Sequence, residues 1–71
     1  MDRMISISVS GETHRIAGWT SVLQLLGSIG LDTRKVAVER NLEIVPPPPA
    51  YAATALAAGD QLEIVHFIGG G

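Results

Sequence analysis

The chain contains no cysteine, which removes disulfides, thiolate nucleophiles and zinc sites built on sulfur ligands, and fits an uncrosslinked domain in a reducing compartment. Charge is also sparse. Five basic and seven acidic residues among 71 leave a formal charge of −2. The bases are scattered at Arg3, Arg15, Arg34, Lys35 and Arg40, so there is no electrostatic footprint for nucleic acid. Lysine occurs once, at Lys35, so an isopeptide bond to this protein itself would have one internal acceptor. No apolar run approaches the about 20 residues of a membrane span, and Met1 to Ser6 lacks a basic patch followed by a long apolar stretch. The expectation is a soluble, untargeted, cytoplasmic protein with no nucleic-acid or membrane partner. A single domain of this length buries only about 60% of the surface its unfolded chain exposes, which leaves little room for a deep cleft with its own supporting shell. That argues for a module that enzymes act upon, and against an enzyme.

What is present is a regular succession of elements. Met4 to Val9 alternates, with Ile5, Ile7 and Val9 on one side and Met4, Ser6 and Ser8 on the other, as in a half-buried strand. Ser10-Gly11-Glu12 supplies turn chemistry before a second strand from Thr13 to Ala17. Ser21 and Gln24 form a capping-box pattern, and Val22, Leu25, Leu26 and Ile29 follow at helical spacing to give one apolar stripe. Gly30 stands where such a helix ends in a left-handed residue. Val36 to Arg40 and Glu43 to Val45 read as strands around Asn41-Leu42, a two-residue connection in which leucine, unlike asparagine, does not tolerate positive φ. Pro46 to Pro49 favours extended backbone, Ala50 to Ala58 reads as a short turn plus loop, and Gly59-Asp60 is the last turn signal before a strand from Gln61 to Phe67. The order predicts an α+β fold. If the last strand lies beside the first in a mixed sheet of about five strands, one face covers the single α-helix, a β-grasp topology. Residues 1–67 are then the domain and 68–71 a flexible C-terminal glycine tail.

Gly69-Gly70-Gly71 after Ile68 would present a carboxylate on a thread without side chains. A terminal carboxylate, with a reference pKa of about 3.3 to 3.7, is ionised at neutral pH and can attack the α-phosphate of ATP when an enzyme positions it. Four residues reach roughly 13 Å from a fold, and glycine lacks the β-carbon that would collide with a tight channel. Ordering such a thread costs about 1 to 2 kcal/mol per residue, so a docking face must offset the loss. In the last strand Leu62 and Ile64 are expected to face the helix, which leaves Val65 and Phe67 on the opposite face as candidate partner-binding residues. The alternative is that Tyr51, the loop or Trp19 covers them as ordinary core.

The segments VAVERN (36 to 41) and EIVP (43 to 46), then Tyr51, Gly59-Asp60 and above all LEIVHFIGGG (62 to 71) resemble the ThiS-type sulfur carriers of thiamine thiazole biosynthesis, which are ubiquitin-like β-grasp proteins. The similarity is strongest from Val36 onward and weak in the first twenty residues. Leu42 stands where the family usually has glycine, and Pro47-Pro48-Pro49 replaces more polar residues. The resemblance implies that a ThiF-type, E1-like adenylyltransferase uses ATP to adenylate the carboxylate of Gly71. Sulfur from a persulfide donor then displaces AMP, and the C-terminal thiocarboxylate goes to a ThiG-type thiazole synthase. It implies no permanently bound cofactor and no metal. A thiocarboxylate holds sulfur without a thiol, in keeping with the absence of cysteine.

Other readings stay open. The same chemistry could serve molybdopterin synthesis or tRNA thiolation. Gly71 could instead join to lysines as in a protein modifier, or the tail could be inert on a plain interaction module. His66 is near enough to the tail to assist proton transfer, although a lone strand histidine is more often structural. His14, Asp60 and Glu63 form no evident ligand cluster, and Trp19 is most simply a core plug at the sheet edge.

Overall fold

The computed structural model describes residues 3–46 and 49–67. Strands β1 (Met4–Val9) and β2 (Glu12–Ala17) pair antiparallel with Val9 opposite Glu12. The turn between them is therefore two residues, Ser10 and Gly11, with φ of 47° and 85°. That is the mirror-image turn whose twist matches a hairpin. Helix α1 (Val22–Ser28) starts on the expected capping box: the Gln24 amide donates to Ser21 Oγ at 3.1 Å and the Ser21 amide to Gln24 Oε1 at 2.9 Å. Val22, Leu25 and Leu26 are buried, but Ile29 caps the helix and is exposed. The stripe is thus one residue shorter than its spacing predicts, because Gly30 turns left-handed at φ 81° and ends the helix first.

Strands β3 (Val36–Arg40) and β4 (Glu43–Ile44) form the second hairpin. Val45 is buried and lies just beyond β4, its amide donating to the Val38 carbonyl at 2.9 Å. Ala50 to Ala53, read from sequence as turn and loop, is a one-turn helix, α2. Alanine has the highest helix propensity, and burial of Tyr51 fixes that turn against the core. Thr54 to Leu56 then runs beside the entry to α1: the Val22 amide donates to the Thr54 carbonyl and the Leu56 amide to that of Thr20, both at 2.9 Å. Strand β5 (Gln61–His66) closes the fold.

The five strands form one sheet in the order β2-β1-β5-β3-β4, with β5 parallel to β1 and every other pair antiparallel. This is the ubiquitin-like β-grasp, with α1 as its one main helix. Parallel pairing is brief, Ser8 with Gln61 and Val9 with Leu62, whereas β3 accompanies β5 over five residue pairs. Ile5, Ile7, Val9, Val36, Val38 and Leu62 line the inner face and bury the apolar side of α1. Trp19 does not plug this core. It is 58% exposed, because Gly18-Trp19 is a turn joining β2 to α1.

Candidate functional site at the end of the last strand

Along β5 the pleat separates two sets of side chains. Leu62 is 2% exposed and Ile64 packs against the core, whereas Val65 and Phe67 are 55% and 61% exposed on the outer face. Cross-strand register sets their neighbours. Val65 lies opposite Ala37, Glu63 opposite Glu39, and Glu39 in turn opposite Ile44, so Ile44, itself an exposed isoleucine, joins the same face. The Phe67 amide donates to the Lys35 carbonyl at 2.9 Å, which extends the β3–β5 ladder by one rung beyond Val36 and His66. Phe67 borders an open hollow of about 480 Å³ that is also lined by Val36, Ala37, Ile44, Val45 and Tyr51. Tyr51 contributes to one wall but is itself buried, its hydroxyl donating to the Val36 carbonyl at 3.4 Å. It does not cover Phe67, and neither does the exposed Trp19. Ile68, Gly69, Gly70 and Gly71 lie outside the described residues, as do Pro47 and Pro48.

The base of β5 is held by a polar clasp. Asp60 is buried, and its carboxylate accepts from Arg40 Nε at 2.8 Å, Asn41 Nδ2 at 3.1 Å and the Ala57 amide at 2.9 Å. Burial pushes the Asp60 carboxyl up, but the Ala57 amide, the Asn41 amide group and the Arg40 guanidinium outweigh it and hold the group below the usual aspartate range. Asn41 completes the clasp: its backbone amide donates to the Gln61 carbonyl at 2.8 Å, and its Oδ1 accepts from the Gln61 amide at 2.9 Å. The β3–β4 turn is thereby tied to the first residue of β5, which fixes where the strand begins and hence which side chains its last residues turn outward.

His66 is exposed and pairs across the ladder with Val36, while His14 lies 3.4 Å from Glu12 near the first turn. No three His, Cys, Asp or Glu among the described residues converge on a point that could hold a metal ion. No described helix is long and apolar enough to cross a membrane. Sequence reasoning missed Ile44 and Asp60. A β4 read as Glu43 to Val45 gives no face for Ile44 until its partner strand is known, and Asp60 looks like an ordinary turn residue after Gly59. The pair Asn41 and Asp60 was the available signal for the clasp, but nineteen residues separate them.

Comparison with known proteins places these features. The model of the ThiS family matches residues 7–71. A thiazole synthase of Paramagnetospirillum magneticum is 52% identical over 67 residues, which are 94% of this chain and 20% of that protein. The chain therefore spans a fifth of the length of that relative. The sulfur carrier protein ThiS of Bacillus subtilis is 43% identical over 51 residues, covering 72% of this chain and 76% of the relative. Among solved structures, the thiamine biosynthesis protein ThiS of Geobacter metallireducens superposes with a TM-score of 0.78 at 30% identity, over 94% of this chain and all of that one.

Proposed function

Since the chain belongs to the ThiS family of sulfur carriers, we propose that it carries sulfur for thiazole formation in thiamine biosynthesis as a thiocarboxylate on Gly71. The observation that carries this reading is the family match, which runs through the final glycines to Gly71. The reading divides the labour in two. Residues 1–67 are the docking body, and 68–71 are the leash that enters an enzyme.

In the first step the Gly71 carboxylate attacks the α-phosphate of ATP held by a ThiF-type adenylyltransferase, pyrophosphate leaves, and an acyl-adenylate forms. In the second, the terminal sulfur of a persulfide donor attacks the acyl carbon, AMP departs with the electron pair, and a thiol then attacks the donor's sulfur in the resulting acyl disulfide, releasing the thiocarboxylate and leaving a disulfide. The chain supplies no acid, base or metal to either step. It contributes its carboxylate and a face that fixes the root of the leash while the enzyme orders the glycines. Val65 and Phe67, with Ile44 beside them, are that face. Exposed apolar side chains grouped at one end of a sheet are the usual anchors of a partner surface, and their burial offsets the entropy lost by the tail. The client is a thiazole synthase. The Paramagnetospirillum enzyme of that name contains within its own length a segment half identical to this chain, which favours this client over molybdopterin or tRNA thiolation. ATP-dependent charging of a cysteine-free domain belongs in the cytoplasm.

Intact-mass measurement after incubation with the adenylyltransferase of the same organism, ATP, a persulfide source and a thiol reductant tests the reading. The expected product is heavier by the difference between sulfur and oxygen, with the change confined to the C-terminal peptide. An unchanged mass alongside an enzyme shown to be active on another carrier would overturn it.

A further inference from the structure

Strand β5 outruns one of its two neighbours. β1 pairs with it only at Ser8 with Gln61 and Val9 with Leu62, whereas β3 stays beside it as far as His66. The cause is the tight turn at Ser10-Gly11, which reverses the chain into β2 after Val9. The hydrogen bonds of β5 show what this leaves open. The Asn41 amide donates to the Gln61 carbonyl and the Phe67 amide to the Lys35 carbonyl, so the odd-numbered residues of β5 turn their backbone groups toward β3. Antiparallel ladders alternate, and Leu62, Ile64 and His66 therefore turn theirs toward the β1 side. There the Leu62 carbonyl accepts from the Ser10 amide at 2.8 Å, and the Ile64 amide donates to Ser10 Oγ at 3.3 Å. Past Ser10, the Ile64 carbonyl and both backbone groups of His66 face a side on which no described strand runs.

We propose that this open edge takes up an extended segment of the adenylyltransferase as an added strand, continuing the line of β1 past Ser10. The inference rests on the reading that this enzyme docks on Val65, Phe67 and Ile44, and it adds a backbone contact beside that face. A row of unpaired strand amides and carbonyls is matched by another extended backbone, which offers donors and acceptors at the same spacing. The stretch from Ile64 to Phe67 is about 13 Å long, room for three or four residues. Strand edges are ordinarily blunted by lysine, proline or a bulge; Ile64-Val65-His66-Phe67 contains neither residue and keeps an unbroken register with β3.

The two sides of the edge set the chemistry of the segment, because side chains of an added strand alternate between faces. On the inner side lies an open hollow of about 360 Å³ whose lining includes Ile29, Leu31 and Ile64, and an aliphatic side chain fills it. On the outer side a second apolar side chain continues the exposed patch of Val65 and Phe67. The hollow is also bordered by Glu12, whose side chain is 83% exposed with His14 at 3.4 Å, and by no lysine or arginine. The matching segment therefore carries a basic residue at that end, where opposite charge favours the correct partner.

Hydrogen exchange resolved at single amides tests the edge. In the free chain the His66 amide should exchange faster than that of Val65, which the β3 ladder holds, and binding of the adenylyltransferase should slow His66 at least tenfold. Calorimetry supplies a second arm. His66→Pro removes the donor and sets a ring in the path of the added strand while taking nothing from the β3 ladder. Its affinity for the enzyme should be about tenfold or more below that of His66→Ala, which keeps the amide. Should His66→Pro unfold, the exchange arm decides. Glu12→Lys should weaken binding severalfold in low salt, with the deficit shrinking as salt rises.

Three results overturn the inference and leave the carrier reading standing: a chain that is charged with sulfur yet whose His66 amide exchanges equally fast free and bound, equal affinities for a folded His66→Pro and His66→Ala, or His66 protection in the free chain together with a dimeric mass, which assigns the edge to a second copy. Wild-type affinity in Glu12→Lys at low salt overturns the basic residue assigned to the segment. A wild-type chain neither bound nor charged by an enzyme active on another carrier overturns both readings.

Discussion

Leu62 and Val65 stand three residues apart on β5, yet one is 2% and the other 55% exposed. The same strand builds the core with one side and leaves apolar side chains in water with the other. Helix α1 covers only the inner face, and no described element covers the outer one. An exposed valine, phenylalanine and isoleucine grouped at the tail end add little to folding, so their loss should spare the fold, whereas the inner residues have no such freedom. On the proposed reading the two faces divide stability from recognition, and substitutions on either side test the division.

The largest effect should come from the inner face. Leu26 is fully buried under the sheet, and Leu26→Ala should destabilise by about 3 kcal/mol through lost transfer energy and the cavity left behind. Native domains have only about 5 to 15 kcal/mol in hand. Chemical denaturation should show a lower midpoint, and adenylation should fall only in proportion to the unfolded fraction. Loss of partner affinity in the folded protein would mean that the core face is also a recognition face.

The clasp at Asp60 should come next. Asp60→Ala leaves Arg40 Nε, Asn41 Nδ2 and the Ala57 amide without their shared acceptor, a cost of about 2 kcal/mol. The pH dependence has a definite sign. The folded carboxyl titrates below the ordinary value of 3.8, so its contribution is complete at neutral pH, begins to fade as the pH falls to that value, and is lost only when the pH passes below the depressed folded value. The gap in unfolding free energy between wild type and Asp60→Ala should therefore be constant near neutrality and shrink on acidification. A gap that widened in acid would show that Asp60 is not the stabilising group.

On the outer face, Phe67→Ala should leave stability within about 0.5 kcal/mol of wild type, as for an exposed residue, while weakening binding to the adenylyltransferase about tenfold or more, as for an aromatic anchor. Titration calorimetry and thermal unfolding on the same samples read the two quantities separately. Equal losses in both would return Phe67 to the core and remove the distinction between the faces.

The inner face was more legible in the sequence than the outer one. Ile5, Ile7 and Val9 alternate, Val22, Leu25 and Leu26 recur at helical spacing, and each pattern survives in the structure because local periodicity decides it. The outward turn of Val65 and Phe67 followed from the same period of two. Whether anything covered them did not, since that depends on where Trp19 and Tyr51 end up, and distant backbone settles both: Trp19 in a turn, Tyr51 under Val36. Ile44 became part of the site only through its pairing with Glu39, and Asp60 became a buried ion-pair partner only when the β3–β4 turn met the start of β5. Pairings between strands far apart in sequence are what periodicity does not encode.

The smallest expected effect lies where the sequence itself signalled strain. Asn41 and Leu42 connect β3 to β4 with φ of 52° and 71°, the mirror-image two-residue turn that favours asparagine followed by glycine. Leucine at positive φ brings its β-carbon against the following carbonyl at about 1 to 2 kcal/mol, and Leu42, 92% exposed, regains almost none of this by packing. Leu42→Gly should therefore stabilise the domain by about 0.5 to 1 kcal/mol, the relief of strain being partly cancelled by the greater backbone freedom of glycine in the unfolded chain. Because Asn41 also anchors Asp60 and Gln61, the gain should come without movement of β5, and affinity for the adenylyltransferase should stay as it was. A Leu42→Gly protein that is more stable but binds more weakly would place this exposed leucine on the docking face, extending that face from the tail end of β5 to the β3–β4 turn.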